Sequence, residues 1–150
     1  EAAHRAQVAT EGAALEQQVK SLGLERHVLL PGFQAAALAL QKSFDVCAMS
    51  SLTEGLGSSM LDAMACGTPV VGTRAGGIPE AIEHDRTGLL VRPHHADELA
   101  SAIVLLLKEP ALRAQLGAAG RAHVQAEFSV ERMVEGTLAV YELRLRGRDT

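Results

Sequence analysis

Two carboxylates, Glu54 and Asp62, lie eight residues apart on either side of a glycine-containing turn. Gly55 and Gly57 permit positive φ angles and close backbone approach, and residues 56–59 then offer backbone amides at the start of a predicted helix. The first amides of a helix have no intrahelical acceptor and carry a partial positive charge, which suits a phosphate. A carboxylate beside such a pocket is better matched to neutral sugar hydroxyls than to the phosphate.

Ser58 and Ser59 follow this turn, and either hydroxyl can bind a phosphate oxygen or cap the helix. The same stretch also suits an ordinary loop-to-helix connection, in which Asp62 merely complements the helix dipole. Residue types alone leave both interpretations open. Two nucleotide motifs are excluded, because Met60 stands where a dinucleotide fingerprint requires its third glycine and the segment 67–73 lacks the P-loop lysine.

The composition is that of one globular domain, with 47% apolar and 21% charged residues in a chain of 150. With 14 basic and 18 acidic residues, the chain is not expected to bind nucleic acid. No apolar run is long enough for a transmembrane segment. Cys47 and Cys66 have neither the spacing of a metal site nor the density of a disulfide scaffold. These features predict a cytoplasmic protein without a metal site.

Strand and helix signals alternate along the chain. Short apolar runs predict strands at 7–9, 28–30, 46–49, 69–71 and 88–91. Helical spacing predicts helices at 15–22, 57–66 and 99–107, a short one from Pro79, and a long one from Pro110 to about Arg146 with a break near Phe128. Buried parallel strands read as continuous apolar runs, so the pattern predicts a doubly wound, Rossmann-like α/β fold with helices on both faces of a parallel sheet.

Ligands of such sheets bind outside the carboxyl ends of the strands. Glu54, the pair 76–77 and the pair 32–33 each follow a predicted strand closely. Three separate stretches are therefore expected to meet at one edge of the sheet.

The stretch SSLTEGLGSSMLDAMACGTPVVGTRAGGIPEAIEHDRTGLLVRP resembles the donor-binding, carboxyl-terminal domain of retaining GT-B glycosyltransferases of family 4. The family pattern E-G-F-G-x-x-x-x-E-A-M-A-x-G-x-P-V-V is matched by EGLGSSMLDAMACGTPVV, and GGIPE and GLLVRP follow in the family's order. Looser similarity covers most of the chain. The resemblance implies that the fold is the carboxyl-terminal half of a GT-B protein.

The resemblance also implies a role for each matched residue. Glu54 matches the first acid of the family's E-x7-E motif, which contacts the donor sugar and is implicated in catalysis. Asp62 matches the second acid, which hydrogen-bonds the ribose, and the subgroup with this EGLGSS variant carries aspartate there. The other implied ligand contacts surround the sugar and diphosphate (Gly55, Leu56, Gly57, Ser58 and Ser59) or the nucleobase (Gly32 and Phe33).

The implied reaction transfers a sugar from a nucleotide-diphosphate sugar to an acceptor with retention of configuration. No cofactor or metal is implied, because the helix N-terminus and basic side chains stabilise the departing diphosphate. The family uses uridine, guanosine and adenosine donors, so the base, the sugar and the acceptor stay open. The alternatives are a non-catalytic nucleotide-sugar-binding module and an epimerase or phosphorylase of GT-B fold, and the E-x7-E pattern favours the transferase.

By the same resemblance, residues 1–150 are a partial nucleotide-sugar-binding domain. The domain's first strand and helix, its diphosphate-neutralising arginine and lysine, and the acceptor-binding amino-terminal domain would precede them. The isolated chain is therefore expected to be inactive. A missing central strand leaves unpaired sheet edges, so we expect this chain to rearrange, self-associate or be poorly stable. Attachment of the whole protein to a membrane surface stays open.

Overall fold

A computed structural model describes residues 2–146 of the chain, with side chains described from residue 12 onward. The chain divides into two units between Ala35 and Ala36. The first unit contains helix α1, Ala2–Ser21. This helix ends as its sequence predicts, because Gly23 takes a left-handed conformation with φ of 66°.

Two predicted strands of the first unit are wrong. The strand at 7–9 lies inside α1, because two apolar residues in an alanine-rich stretch favour helix and the single Gly12 costs a helix only about 1 kcal/mol. The run 28–30 joins no β-ladder in the described part of the chain, and Leu29 is 86% exposed. A short apolar run becomes a strand only where a partner accepts its backbone hydrogen bonds.

The second unit alternates strands and helices as predicted. Its elements are α2 (Ala37–Gln41), β1 (Cys47–Met49), α3 (Ser58–Ala65), β2 (Val70–Thr73), α4 (Ile78–Ala81), β3 (Leu89–Val91), α5 (Ala96–Lys108), α6 (Pro110–Glu127) and α7 (Val130–Arg146). The predicted break near Phe128 separates α6 from α7.

The three strands form a parallel sheet in the order β1-β2-β3. Successive residues of β2 point to opposite faces, so Val70 joins one apolar cluster and Val71 the other. The first cluster is built mainly from α3 and α4 with Val124 of α6, and the second from Leu106 of α5 and Leu116 of α6. Helices therefore cover both faces of the sheet, which confirms the predicted fold class.

Helix α7 differs from the other long helices of this unit, because none of its residues is buried. Of the helices within residues 2–146, none combines the length and apolarity needed to cross a bilayer.

Candidate functional site

The turn between β1 and α3 is built around Gly57. This residue is the N-cap of α3, is buried, and has φ of 79° and ψ of 58°, a conformation that an L side chain rarely adopts. A Cβ atom here would lie 3.2 Å from the Met49 sulfur. Of the two roles open to Ser58 and Ser59, that of helix cap is wrong, since Gly57 occupies the cap position of α3 and no side-chain cap hydrogen bond forms there. Both serine side chains stay exposed.

Four successive backbone amides are free at this turn. Within residues 2–146, no acceptor receives a hydrogen bond from the N–H groups of residues 56–59. The Gly57 carbonyl accepts the first helical bonds, from Met60 at 2.9 Å and Leu61 at 3.1 Å. The free amides therefore precede the first satisfied turn of α3, where the helix dipole adds positive potential. This arrangement suits an anionic ligand.

Glu54 is half-buried directly before these amides. Its carboxylate accepts a hydrogen bond from the Gly55 amide at 3.1 Å and faces the Ser51 hydroxyl at 3.5 Å. The described residues place no Lys or Arg in an ion pair with it. A carboxylate held by neutral donors retains acceptor capacity for ligand hydroxyls.

The Gly76–Gly77 turn packs directly against the backbone of Glu54 and Gly55. A Cβ atom on Gly76 would lie 1.9 Å from the Glu54 carbonyl oxygen, and one on Gly77 would lie 1.9 Å from that of Gly55. The Gly77 amide donates to the Glu54 carbonyl at 3.1 Å. Of the three stretches predicted to meet at the carboxyl edge of the sheet, the Glu54 turn and the Gly76–Gly77 turn are therefore in contact, and only glycine fits at this contact. The convergence of residues 32–33 with them stays a prediction.

Asp62 is exposed on α3, where it is the fifth helical residue. It lies beyond the first turn, so complementing the helix dipole explains its presence only weakly. Among the described residues, its carboxylate has no hydrogen bond or ion pair. Asp62 is therefore available to a ligand beside the free amides.

Leu56 contributes its amide and not its side chain to this arrangement. Its side chain lines an open, largely apolar groove of about 440 Å³ with Leu61, Phe128 and Met133.

The remaining predicted contacts, Gly32 and Phe33, belong to the first unit. Gly32 has φ of 66°, and the Phe33 side chain is 94% exposed. Their role beside a nucleobase stays a prediction.

Two buried polar residues of the site escaped the sequence analysis. The Gln41 side chain donates to the Ser59 carbonyl at 2.9 Å and so anchors the start of α3. The Thr73 hydroxyl, at the end of β2, donates to the Ser51 carbonyl. Gln41 directly follows the apolar Ala-Leu stretch at 35–40 and continues the same helix, which was a usable signal. Thr73 gives no such signal, because its partner is decided by the tertiary fold.

No group of three or more potential metal ligands occurs in the described part of the chain.

Comparisons with known proteins match the fold and the site region. The family described as Glycosyl transferases group 1 matches residues 10–123. The N-acetyl-alpha-D-glucosaminyl L-malate synthase of Bacillus anthracis is 36% identical over 131 residues, which make up 87% of this chain and 34% of that protein. The GDP-mannose-dependent monoacylated alpha-(1-6)-phosphatidylinositol monomannoside mannosyltransferase of Corynebacterium glutamicum is 41% identical over 128 residues, or 81% and 32% of the two chains.

Among solved structures, Anabaena HepE in complex with UDP superposes with a TM-score of 0.80 at 32% identity, over 85% of this chain and 36% of that one. The chain spans about a third of the length of these two curated relatives. These matches confirm the resemblance and the fold class that the sequence predicts.

Proposed function

Since this chain belongs to the family of glycosyl transferases group 1, we propose that it is the donor-binding part of a retaining glycosyltransferase. The whole protein transfers a sugar from a nucleotide-diphosphate sugar to an acceptor, and residues 1–150 form part of its nucleotide-sugar-binding domain. The observation that carries the proposal is the row of four free amides at residues 56–59, which lie in the sequence between Glu54 and Asp62.

The free amides receive the diphosphate of the donor. As the sugar departs, negative charge develops on the diphosphate, and fixed N–H dipoles at a helix N-terminus stabilise it without reorganising. This part of the site works through backbone dipoles, and we propose that the reaction needs no metal. Transfer that is unchanged by a metal chelator would support this, and transfer restored only by added Mg²⁺ or Mn²⁺ would contradict it.

Each of the two carboxylates binds a different part of the donor. Glu54 lies beside the Gly55 amide, at the sugar end, where it accepts hydrogen bonds from sugar hydroxyls and stabilises the positive charge that develops at the reacting carbon. Asp62 lies on the exposed side of α3 and accepts hydrogen bonds from the ribose. The acceptor is held by the remainder of the protein, so the 150-residue chain alone binds donor and does not transfer.

The nucleotide contact is tested by calorimetric titration of the whole protein with UDP, GDP and ADP. One nucleotide is expected to bind, and Asp62→Ala is expected to weaken it by roughly 10- to 100-fold, the value of a hydrogen bond to a charged group. Asp97→Ala is the matched control, because Asp97 is also an exposed helical aspartate but lies on α5. Equal affinities in all three proteins would contradict the assignment of Asp62.

The role of Glu54 is tested by Glu54→Gln, which keeps the size of the side chain. The rate of donor consumption is expected to fall about 100-fold or more while nucleoside diphosphate affinity stays within a few-fold. Equal loss of both would make Glu54 a folding residue. The anomeric configuration of the product, read by NMR, tests retention. Binding without consumption of any nucleotide sugar would favour the non-catalytic module.

A further inference from the structure

The loop that carries Glu54 has few restraints. Strand β1 ends at Met49 and α3 begins at Ser58, so the eight residues 50–57 lie outside the sheet and the helix. Within the described chain, two hydrogen bonds reach this loop from outside the loop and α3. The Thr73 hydroxyl bonds to the Ser51 carbonyl, and the Gly77 amide bonds to the Glu54 carbonyl.

One restraint comes from Thr73, the last residue of β2, and the other from Gly77 in the turn between β2 and α4, and only the first uses a side chain. Thr73 is 3% exposed and forms part of the sheet, where its backbone is in register with Val91 of β3. Its hydroxyl is therefore held rigidly, because a β-branched side chain on a paired strand has little rotational freedom. The restrained residue, Ser51, in turn points its hydroxyl at the Glu54 carboxylate, 3.5 Å away.

We propose that Thr73 is a positioning residue for Glu54: its buried hydroxyl fixes Ser51, and Ser51 orients the Glu54 carboxylate. Thr73 does not touch the ligand itself. This rests on the proposed function of Glu54 at the reacting sugar. A carboxylate displaced by about 1 Å loses much of its effect on a reaction while the diphosphate contacts, which are made by other groups, persist.

The test compares Thr73→Val, which keeps the shape and removes the hydroxyl, with Thr73→Ser, which keeps the hydroxyl and removes a methyl group. Both are made in the whole protein. For consumption of UDP-glucose or GDP-mannose, Thr73→Val is expected to lower kcat about 5- to 10-fold, the value of one net hydrogen bond. Affinity for UDP or GDP is expected to stay within two-fold, and Thr73→Ser to remain close to wild type. Equal losses in both variants would overturn the proposal, because packing would then explain the effect.

Amide hydrogen exchange tests the positioning role of Thr73 independently of the proposed function. Thr73→Val is expected to speed exchange of the amide at Gly55, which bonds to the Glu54 carboxylate, by about 5- to 10-fold, and Thr73→Ser to leave it unchanged. This comparison remains decisive even if the protein consumes no nucleotide sugar. If Thr73→Val does not fold, Ser51→Ala is used, which is expected to lower kcat with unchanged nucleotide affinity. Unchanged kcat and unchanged exchange in Ser51→Ala would overturn the proposal.

Discussion

Adding one methyl group at Gly77 tests the loop contact on which the site depends. In Gly77→Ala, the new Cβ atom would lie 1.9 Å from the Gly55 carbonyl oxygen and 3.3 Å from the Leu56 Cα atom. Real Cβ contacts lie beyond 3.0 Å, so the two loops must separate by about 1 Å or more. Since the opposing atoms belong to backbone, no side-chain rotation relieves the overlap.

The cost has two parts. Overpacking of this kind destabilises a protein by about 1–3 kcal/mol, and loss of the hydrogen bond from the Gly77 amide to the Glu54 carbonyl adds about 0.5–1.5 kcal/mol. The free energy of unfolding is therefore expected to fall by roughly 2–4 kcal/mol. Because the same displacement moves Glu54 and the free amides, affinity for the nucleoside diphosphate falls as well.

Urea denaturation and calorimetric titration measure the two effects. The matched control is Gly136→Ala, the same chemical change within helix α7, where no atom lies within 4 Å of the new Cβ. It is expected to raise stability by about 0.5–1 kcal/mol, because alanine favours helix over glycine. If Gly77→Ala unfolds at the wild-type urea concentration and binds nucleotide equally well, the inferred contact between the two loops does not exist.

Three further predictions concern other parts of the molecule. A hydrogen bond from Arg92 lowers the pKa of the Glu98 carboxyl from its ordinary 4.5 to about 2. Because the folded pKa is the lower one, this pair stabilises the fold above about pH 4.5 and loses its effect as the pH falls toward 2. The difference in Tm between wild type and Glu98→Gln is therefore expected to shrink between pH 7 and pH 3, and a constant difference would contradict it. Light scattering is expected to show self-association of the isolated chain, because the α7 side chains Leu138 and Leu145 are 53% and 63% exposed. Charged substitutions at both positions should reduce this self-association. Burial raises the pKa of the Cys47 thiol, so this thiol should react slowly with a thiol reagent at neutral pH, and reaction as fast as that of a free thiol would contradict it.

The sequence by itself determined the alternation of strands and helices in the second unit. Continuous apolar runs such as 69–71 and helical spacing such as 99–107 are local patterns, and the parallel sheet covered on both faces follows from them. The two carboxylates and the glycine turn between them were also predictable from the sequence. The positive φ angle of Gly57 favours glycine, so the residue type itself indicates the turn.

Only the tertiary structure decided which runs become strands and how the site is held. Residues 28–30 look like a strand but pair with no strand within residues 2–146, since pairing depends on neighbours that are distant in sequence. The hydrogen bonds of Thr73 and Gly77 also depend on distant residues, because their partners in the Glu54 loop are 22 and 23 residues away along the chain. A residue's type states which bonds it can make, and the fold brings the partner within reach.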